Sequence, residues 1–177
     1  MIGIGLCGDE LKHAPDISAP TYLKPYEAGF ITTVHAGEAA GPSSIWSAIE
    51  PLILHRIGHG VRAIEDELLL EHLSIKQVPL EVCPLSNMRT KLFSVYQNHP
   101  VRKLFDRGIP ISINTDDPAL FQTSLSQEYE GLRHTHGFSD MELHQVILDS
   151  IQHSFASPDI KVKLIDQISS HPEWTNA

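Results

Sequence analysis

The sequence is poor in cysteine, in basic residues and in long apolar runs. Its 177 residues include two cysteines, Cys7 and Cys83, which gives no basis for a disulfide framework and fits a reducing, cytoplasmic compartment. Lys and Arg total 13 against 22 Asp and Glu, and the formal net charge of −9 argues against binding to nucleic acid. We therefore expect small molecules as partners.

The apolar runs of the sequence are all short. None approaches the roughly 20 residues that a transmembrane helix requires, so we expect no membrane association. The first residues, MIGIGLCG, have no basic segment and too short an apolar run for a secretory signal. With 41% apolar residues, the chain is predicted to form one domain over residues 1–177.

Short apolar runs that end in polar clusters alternate with stretches in which apolar residues recur every three or four positions. The runs cover residues 2–10, 30–38, 55–60, 79–84 and 109–118. Such alternation predicts an α/β fold with about five parallel strands joined by helices. Ser43 or Ser44 is placed to cap one of the intervening helices. After Pro118 the pattern changes to three helices, with Ser139 and Ser157 as N-caps of the last two.

Polar residues follow each predicted strand, at the ends that converge on one face of a parallel sheet. They are Gly8, Asp9, Glu10, His35, Glu38, His59, Asn87, Asp116 and Asp117. Imidazole and carboxylate are ligands of catalytic zinc, which lowers the pKa of a bound water to about 7. A glutamate beside such a metal can transfer protons, and a second histidine can hold the attacking water. The set predicts metal-dependent hydrolysis.

Each of these residues also has an ordinary structural interpretation. His35 alone could be a hydrogen-bonded core residue, His59 a turn residue and Glu38 a helix cap. The Asp117–Pro118 step could simply begin a helix. The other histidines are predicted to lie at the surface or in packing positions away from the strand ends: His13, His55, His72, His99, His134, His136, His144, His153 and His171. The functional prediction depends on the joint occurrence of the polar groups.

Five motifs occur in order along the chain: LCGDE, TVHAGEAAGPSSIW, RIGHGVRAIED, EVCPLSN and SINTDDP. Together they resemble the adenosine deaminase family in its bacterial form, from Ile2 to about Tyr129, with weaker similarity to the end. The resemblance implies the last five strands of a (β/α)8 barrel of the TIM type, followed by C-terminal helices. It also implies hydrolysis of adenosine or 2′-deoxyadenosine to inosine or 2′-deoxyinosine and ammonia, a step of purine salvage.

The resemblance also assigns roles to residues. His35 and Asp116 correspond to ligands of one zinc ion. Glu38 corresponds to the acid that protonates N1 of the purine, and His59 to the group that orients the attacking hydroxide.

Two further residues correspond to groups that contact the purine. Asp117 corresponds to a residue that hydrogen-bonds N7, and the backbone N–H of Gly8 to a group that reaches N3.

One motif of the family has no counterpart here. The family carries two more zinc-binding histidines, in an H-x-H pair on its first barrel strand, and this sequence resembles the family from about its fourth strand onward. We therefore expect an incomplete metal-dependent hydrolase barrel, weak zinc binding and little activity from the isolated chain. Its open sheet edges are expected to favour self-association or pairing with an N-terminal fragment.

The same motifs are shared by proteins with other functions. Relatives that share these motifs act on adenine or on other adenosine-like nucleosides. A non-catalytic remnant that serves as an interaction module would show the same motifs. A phosphotriesterase-like hydrolase on this barrel is less compatible, because it needs a carboxylated lysine and none of the predicted strands ends in lysine.

Overall fold

A computed structural model describes residues 2–175, so residues 1, 176 and 177 of the predicted domain lie outside the described residues. The described part contains a five-stranded sheet. Its strands are β1 (Gly3–Leu6), β2 (Ile31–Ala36), β3 (Arg56–His59), β4 (Leu80–Val82) and β5 (Ile111–Ile113).

All neighbouring strands are parallel, and their order in the sheet is their order in the chain. Ala36 at the end of β2 lies opposite His59 at the end of β3. Likewise, Val82 at the end of β4 lies opposite Ile113 at the end of β5. The prediction of five parallel strands is confirmed, and their carboxyl ends meet at one edge of the sheet.

Helices connect the strands and continue beyond the last one. The connections contain α1 (Ala19–Glu27), α2 (Pro42–Ile49), α3 (Glu67–Lys76), α4 (Pro84–Arg89) and α5 (Val101–Asp106). After β5 come α6 (Pro118–Phe121), α7 (Leu125–His136), α8 (Asp140–Gln152), α9 (Pro158–Ser169) and α10 (Pro172–Thr175). The three predicted C-terminal helices correspond to α7, α8 and α9. Among residues 2–175, no helix combines the length and hydropathy that crossing a membrane requires.

The serines predicted to cap α8 and α9 both occupy the N-cap position, but only one of them makes a capping hydrogen bond. Ser139 begins α8 with a reciprocal capping box, because its hydroxyl accepts from the Glu142 N–H while the Glu142 carboxylate accepts from the Ser139 N–H. Ser157 occupies the N-cap position of α9, although its side chain makes no capping hydrogen bond.

The predicted cap of α2 is wrong. This helix begins after Gly41, with Pro42 in its first turn, so Ser43 and Ser44 lie inside the helix. The proline explains the difference, because its fixed φ suits the first helical position and its missing N–H needs no capping partner there.

The two faces of the sheet differ in chemistry, as expected when side chains alternate along each strand. On one face Val34, Ile57, Leu80 and Ile111 are at most 1% exposed. They belong to a core completed by buried helix residues, among them Ile45, Leu69, Leu70, Leu73 and Leu104. The alternate positions carry His35, Gly58, Glu81 and Ser112. The apolar face thus anchors the helices, and the opposite face carries polar groups.

Candidate active site

The carboxyl edge of the sheet opens into a cavity of about 420 Å³. His35 and His59 reach it from the ends of β2 and β3, Cys83 from just after β4, and Asp116 from just after β5. Residues from four successive strand ends therefore share one cavity, as the parallel arrangement predicts.

His35 is solvent-exposed and lies across the neighbouring strand at Gly58. A Cβ atom at position 58 would stand 2.4 Å from Cδ2 of His35, which is closer than any normal contact. The ring of His35 also meets the ring of His59 edge-on, with 5.0 Å between centroids. Glycine at position 58 is thus what allows His35 to take this place above β3.

Glu38 is held by the turn that follows β2. Gly37 in this turn has a φ of 71°, a left-handed conformation that glycine adopts readily. The carboxylate of Glu10 accepts hydrogen bonds from the backbone N–H groups of Gly37, Glu38 and Ala40. Glu10, which the sequence placed in a polar cluster after β1, therefore fixes the turn that carries Glu38.

His59 is 3% exposed and lies between two carboxylates. Its Nε2 is 3.5 Å from Oε2 of Glu38 and 3.9 Å from Oδ2 of Asp116. Burial lowers the pKa of His59 to about 4, and the neighbouring His35 acts in the same direction. His59 is therefore neutral at pH 7, and its contacts with the carboxylates are not ion pairs.

The Glu38 carboxyl group has the opposite shift. Burial raises its pKa above the ordinary value, and the negative charge of Asp116 adds to the rise. A carboxyl group in this position keeps its proton to a higher pH than an exposed glutamate does, which suits a group that donates a proton.

The Asp116 side chain is fixed by the neighbouring strand end. The hydroxyl of Ser86, in α4, donates to Oδ2 of Asp116 at 2.7 Å. Asp116 has a φ of 58° and His59 a φ of 61°, values that are uncommon for residues other than glycine. Such local strain occurs where the surrounding structure holds a residue in a functional position.

A metal ion fits the donor atoms at this edge. One ligand atom from each of His59, Cys83 and Asp116 lies within 4.8 Å of the other two. Together with the exposed imidazole of His35 in the same cavity, the set offers nitrogen, sulfur and carboxylate oxygen, the three donor types that zinc accepts. Burial raises the pKa of the Cys83 thiol, so the His35 imidazole and the Asp116 carboxylate are better donors than Cys83 at neutral pH.

Of the two residues that the sequence links to the purine, one lines a neighbouring cavity and the other caps a helix. Gly8 lines a neighbouring cavity of about 240 Å³, and His35 lines both. Asp117 is exposed, and its carboxylate accepts from the Leu120 N–H at 2.9 Å, so it caps α6.

Three residues that lie near the site were not predicted to belong to it. His99 was predicted to lie away from the strand ends, but it is 3% exposed and its Nε2 is 3.2 Å from Oδ1 of Asn87. Cys83 was given no role in the site, yet it lines the cavity. The position of Ser86 beside Asn87, just after β4, is a local signal that it lies near the site. No local sequence feature of His99 indicates its contact with Asn87, which lies 12 residues earlier in the chain.

Comparisons with known proteins identify related sequences and structures. The profile of the family described as "Adenosine deaminase" matches residues 1–171. An adenosine deaminase of Shewanella loihica is 40% identical over 157 residues, which cover 89% of this chain and 47% of that protein.

Two solved structures are also similar to the chain. A crystal structure of adenine deaminase from Arthrobacter aurescens superposes with a TM-score of 0.94 at 36% identity, covering 100% of this chain and 53% of that one. An amidohydrolase structure from Burkholderia ambifaria with bound zinc gives a TM-score of 0.87 at 28% identity, covering 98% of this chain and 48% of that one. The chain spans about half the length of these relatives, and its five-stranded α/β fold is that of part of a deaminase barrel. The chain belongs to the adenosine deaminase family.

Proposed function

We propose that this chain is the C-terminal part of a zinc-dependent deaminase that converts adenosine or 2′-deoxyadenosine to the inosine product and ammonia. The observation that carries the proposal is the position of His59, with Nε2 3.5 Å from Glu38 and 3.9 Å from Asp116 at the ends of three strands. Residues 1–177 form a single incomplete barrel domain in this proposal, in a cytoplasmic protein.

The proposed metal ligands in this chain are His35 and Asp116. They offer imidazole nitrogen and carboxylate oxygen in one cavity, a donor set that suits zinc. When bound, zinc supplies a water molecule of lowered pKa as the nucleophile. Two protein ligands hold zinc weakly, so we propose that the remaining ligands come from the barrel strands that complete the sheet.

Glu38 is proposed to protonate N1 of the purine. Protonation there makes C6 electrophilic, and addition to C6 disrupts the aromatic ring, so an acid at N1 lowers a large part of the barrier. The raised pKa of Glu38 supports this role, because the group still carries a proton at a pH where an exposed glutamate has lost it.

His59 is proposed to orient the attacking water. Its burial keeps it neutral, and its Nε2 faces the cavity between the Glu38 and Asp116 carboxylates. Asp117 and the Gly8 N–H are proposed to bind N7 and N3 of the purine from either side of this centre.

A second substrate, adenine, is supported by the similarity to the Arthrobacter adenine deaminase structure over the whole chain. Adenosine carries a ribose, which adenine lacks. A direct comparison of deamination rates with adenosine and with adenine decides between them.

The outer strands suggest how the domain is completed. In the described residues, β1 and β5 each pair with a strand on one side only. Unpaired strand edges favour pairing with another segment. We propose that the remaining barrel strands pair there, whether they come from an N-terminal segment or from a second chain.

The test is reconstitution. The chain is purified and assayed with zinc and adenosine, alone and after mixing with the N-terminal half of the Shewanella loihica relative. We expect deamination only in the mixture. Glu38→Gln is expected to reduce the deamination rate of the mixture by about 10²- to 10⁴-fold and to leave its zinc content unchanged. Glu50→Gln, at an exposed glutamate after α2, is the matched control.

Full activity of Glu38→Gln in the mixture contradicts the proposed role of Glu38. A stable complex that binds zinc but never deaminates either substrate contradicts the enzyme proposal. That outcome favours a non-catalytic interaction module.

A further inference from the structure

A chain of buried side chains extends from His59 away from the cavity. Nδ1 of His59 is 3.2 Å from Nδ2 of Asn87, and Oδ1 of Asn87 is 3.2 Å from Nε2 of His99. Nδ1 of His99 in turn lies 3.2 Å from the backbone nitrogen of Val101. His59 and His99 are each 3% exposed and Asn87 is fully buried, so water does not compete for these contacts.

The direction of each hydrogen bond follows from the end of the chain at Val101. A backbone N–H can only donate, so Nδ1 of His99 must be an acceptor and cannot carry a proton. His99 is therefore neutral and carries its single proton on Nε2. That N–H donates to Oδ1 of Asn87, which fixes the orientation of the Asn87 amide.

The amide orientation agrees with the other neighbour of Asn87. Its Nδ2 also donates to Oε1 of Glu38 at 3.3 Å. Rotating the amide by 180° would place its oxygen against the Glu38 carboxylate and its NH2 group against the N–H of His99. Both contacts would be repulsive, so the orientation is fixed from two sides.

The fixed amide then determines the proton position on His59. Nδ2 of Asn87 has only hydrogens to offer, so Nδ1 of His59 must accept and is unprotonated. The single proton of His59 is consequently on Nε2, which faces Glu38 and Asp116.

We propose that Asn87 and His99 are positioning residues that hold His59 in its Nε2–H tautomer. His59 then faces the reacting water as a hydrogen-bond donor and not as a base at that nitrogen. The consequence for catalysis rests on the function proposed above, whereas the tautomer itself does not. In this arrangement Nε2 faces two acceptor groups, the Glu38 carboxylate at 3.5 Å and the Asp116 carboxylate at 3.9 Å.

The tautomer is measured directly by long-range ¹H–¹⁵N correlation spectra of the ¹⁵N-labelled chain, with the His59 signals assigned by their loss in His59→Gln. We expect His59 and His99 to be protonated at Nε2 and unprotonated at Nδ1. In His99→Phe the Asn87 amide loses the partner that fixes it, and we expect His59 to show a mixture of tautomers. His99→Gln is the conservative control, because its amide can both accept from Val101 and donate to Asn87, and it is expected to restore the single tautomer.

Three results would overturn the proposal. The first is a wild-type His59 protonated at Nδ1. The second is a folded His99→Phe variant, as judged by circular dichroism, that keeps His59 entirely as Nε2–H. The third is a His99→Gln variant that fails to restore the tautomer while remaining folded. If the His99 variants do not fold, the wild-type spectrum still decides.

The kinetic readout uses the chain mixed with the N-terminal fragment. We expect His99→Phe to lower kcat by about tenfold or more with little change in KM, and His99→Gln to recover most of it. Absence of deamination in every mixture counts against the proposed function and leaves the tautomer result standing. An Nδ1-protonated His59 in an active enzyme counts against the positioning role alone.

Discussion

The carboxylate of Glu128 lies 3.2 Å from the backbone nitrogen of Leu85, and the Glu128 side chain is fully buried. Leu85 is in the first turn of α4, where free N–H groups attract a negative charge. The same short helix carries Ser86 and Asn87, which bind Asp116 and Glu38. Glu128 on α7 therefore supports the helix that holds the site.

This buried carboxyl group makes stability depend on pH. Burial raises the pKa of Glu128 from 4.5 to about 7, although the hydrogen bond from Leu85 opposes the rise. Between these values the folded chain keeps a proton that the unfolded chain has lost. The free energy of unfolding therefore falls as the pH rises from 4.5 through 7, by about 3 kcal/mol in all from this group.

Glu128→Gln removes this titration. We expect the variant to lose that pH dependence and to be more stable than the wild type at pH 8. Urea unfolding between pH 4 and pH 8 measures the effect. Glu130→Gln, at an exposed position on the same helix, is the control and should keep the wild-type profile. Identical profiles for Glu128→Gln and the wild type would contradict the buried titration.

Gly58→Ala tests the position of His35. The added methyl group overlaps the His35 ring, and because His35 is exposed the ring can turn into solvent with little loss of stability. We expect zinc affinity in the reconstituted complex to fall by about tenfold or more, since ligand orientation governs affinity. Gly41→Ala is the control for calorimetric zinc titration, because a Cβ at position 41 would stand 3.5 Å from its nearest neighbour, Nη2 of Arg62, an ordinary contact.

Ser86→Ala tests the support of Asp116. Loss of the 2.7 Å hydrogen bond leaves the carboxylate without its neutral donor, and we expect zinc affinity to fall by about tenfold. Ser74→Ala is matched to it, because the Ser74 hydroxyl donates at 2.7 Å to the Arg107 carbonyl, between α3 and the end of α5. Both variants should lose about 1 kcal/mol of stability, and Ser86→Ala alone should lose zinc affinity. Equal zinc binding by the two proteins would show that Ser86 has no such role.

Glu10→Ala tests the turn that carries Glu38. Its carboxylate is the acceptor for the Gly37, Glu38 and Ala40 amides, and hydrogen bonds to charged groups contribute about 1.5 to 3 kcal/mol each. We expect exchange of these amide hydrogens to accelerate by roughly ten- to a hundredfold. Asp9→Ala, which removes an exposed ion pair with Lys12, should leave them unchanged. Unchanged exchange rates of these amide hydrogens in Glu10→Ala would show that the turn is stable without the Glu10 carboxylate.

The fold class and the principal site were accessible from local sequence patterns. Alternation of apolar runs and helical stretches predicts a parallel sheet, and a parallel sheet brings strand ends together. His35, His59 and Asp116 can therefore be predicted to lie together from the sequence alone. The start of α2 differs from the prediction because this helix begins with a proline at its first position, which needs no side-chain cap.

The strands, their parallel direction and the chemical types of the groups at their ends follow from the periodicity and the motifs of the sequence. The buried groups that contact these strand ends, in contrast, are brought there by packing between distant segments. Glu10 reaches the turn of Glu38 from another strand end, and His99 reaches Asn87 from a loop. Glu128 in α7 contacts Leu85 in α4, which lies 43 residues earlier in the chain. Such contacts depend on how distant segments pack. Packing determines how deeply a titratable group is buried, and therefore its pKa. It also determines which hydrogen-bond partner a histidine has, and therefore which of its nitrogens carries the proton.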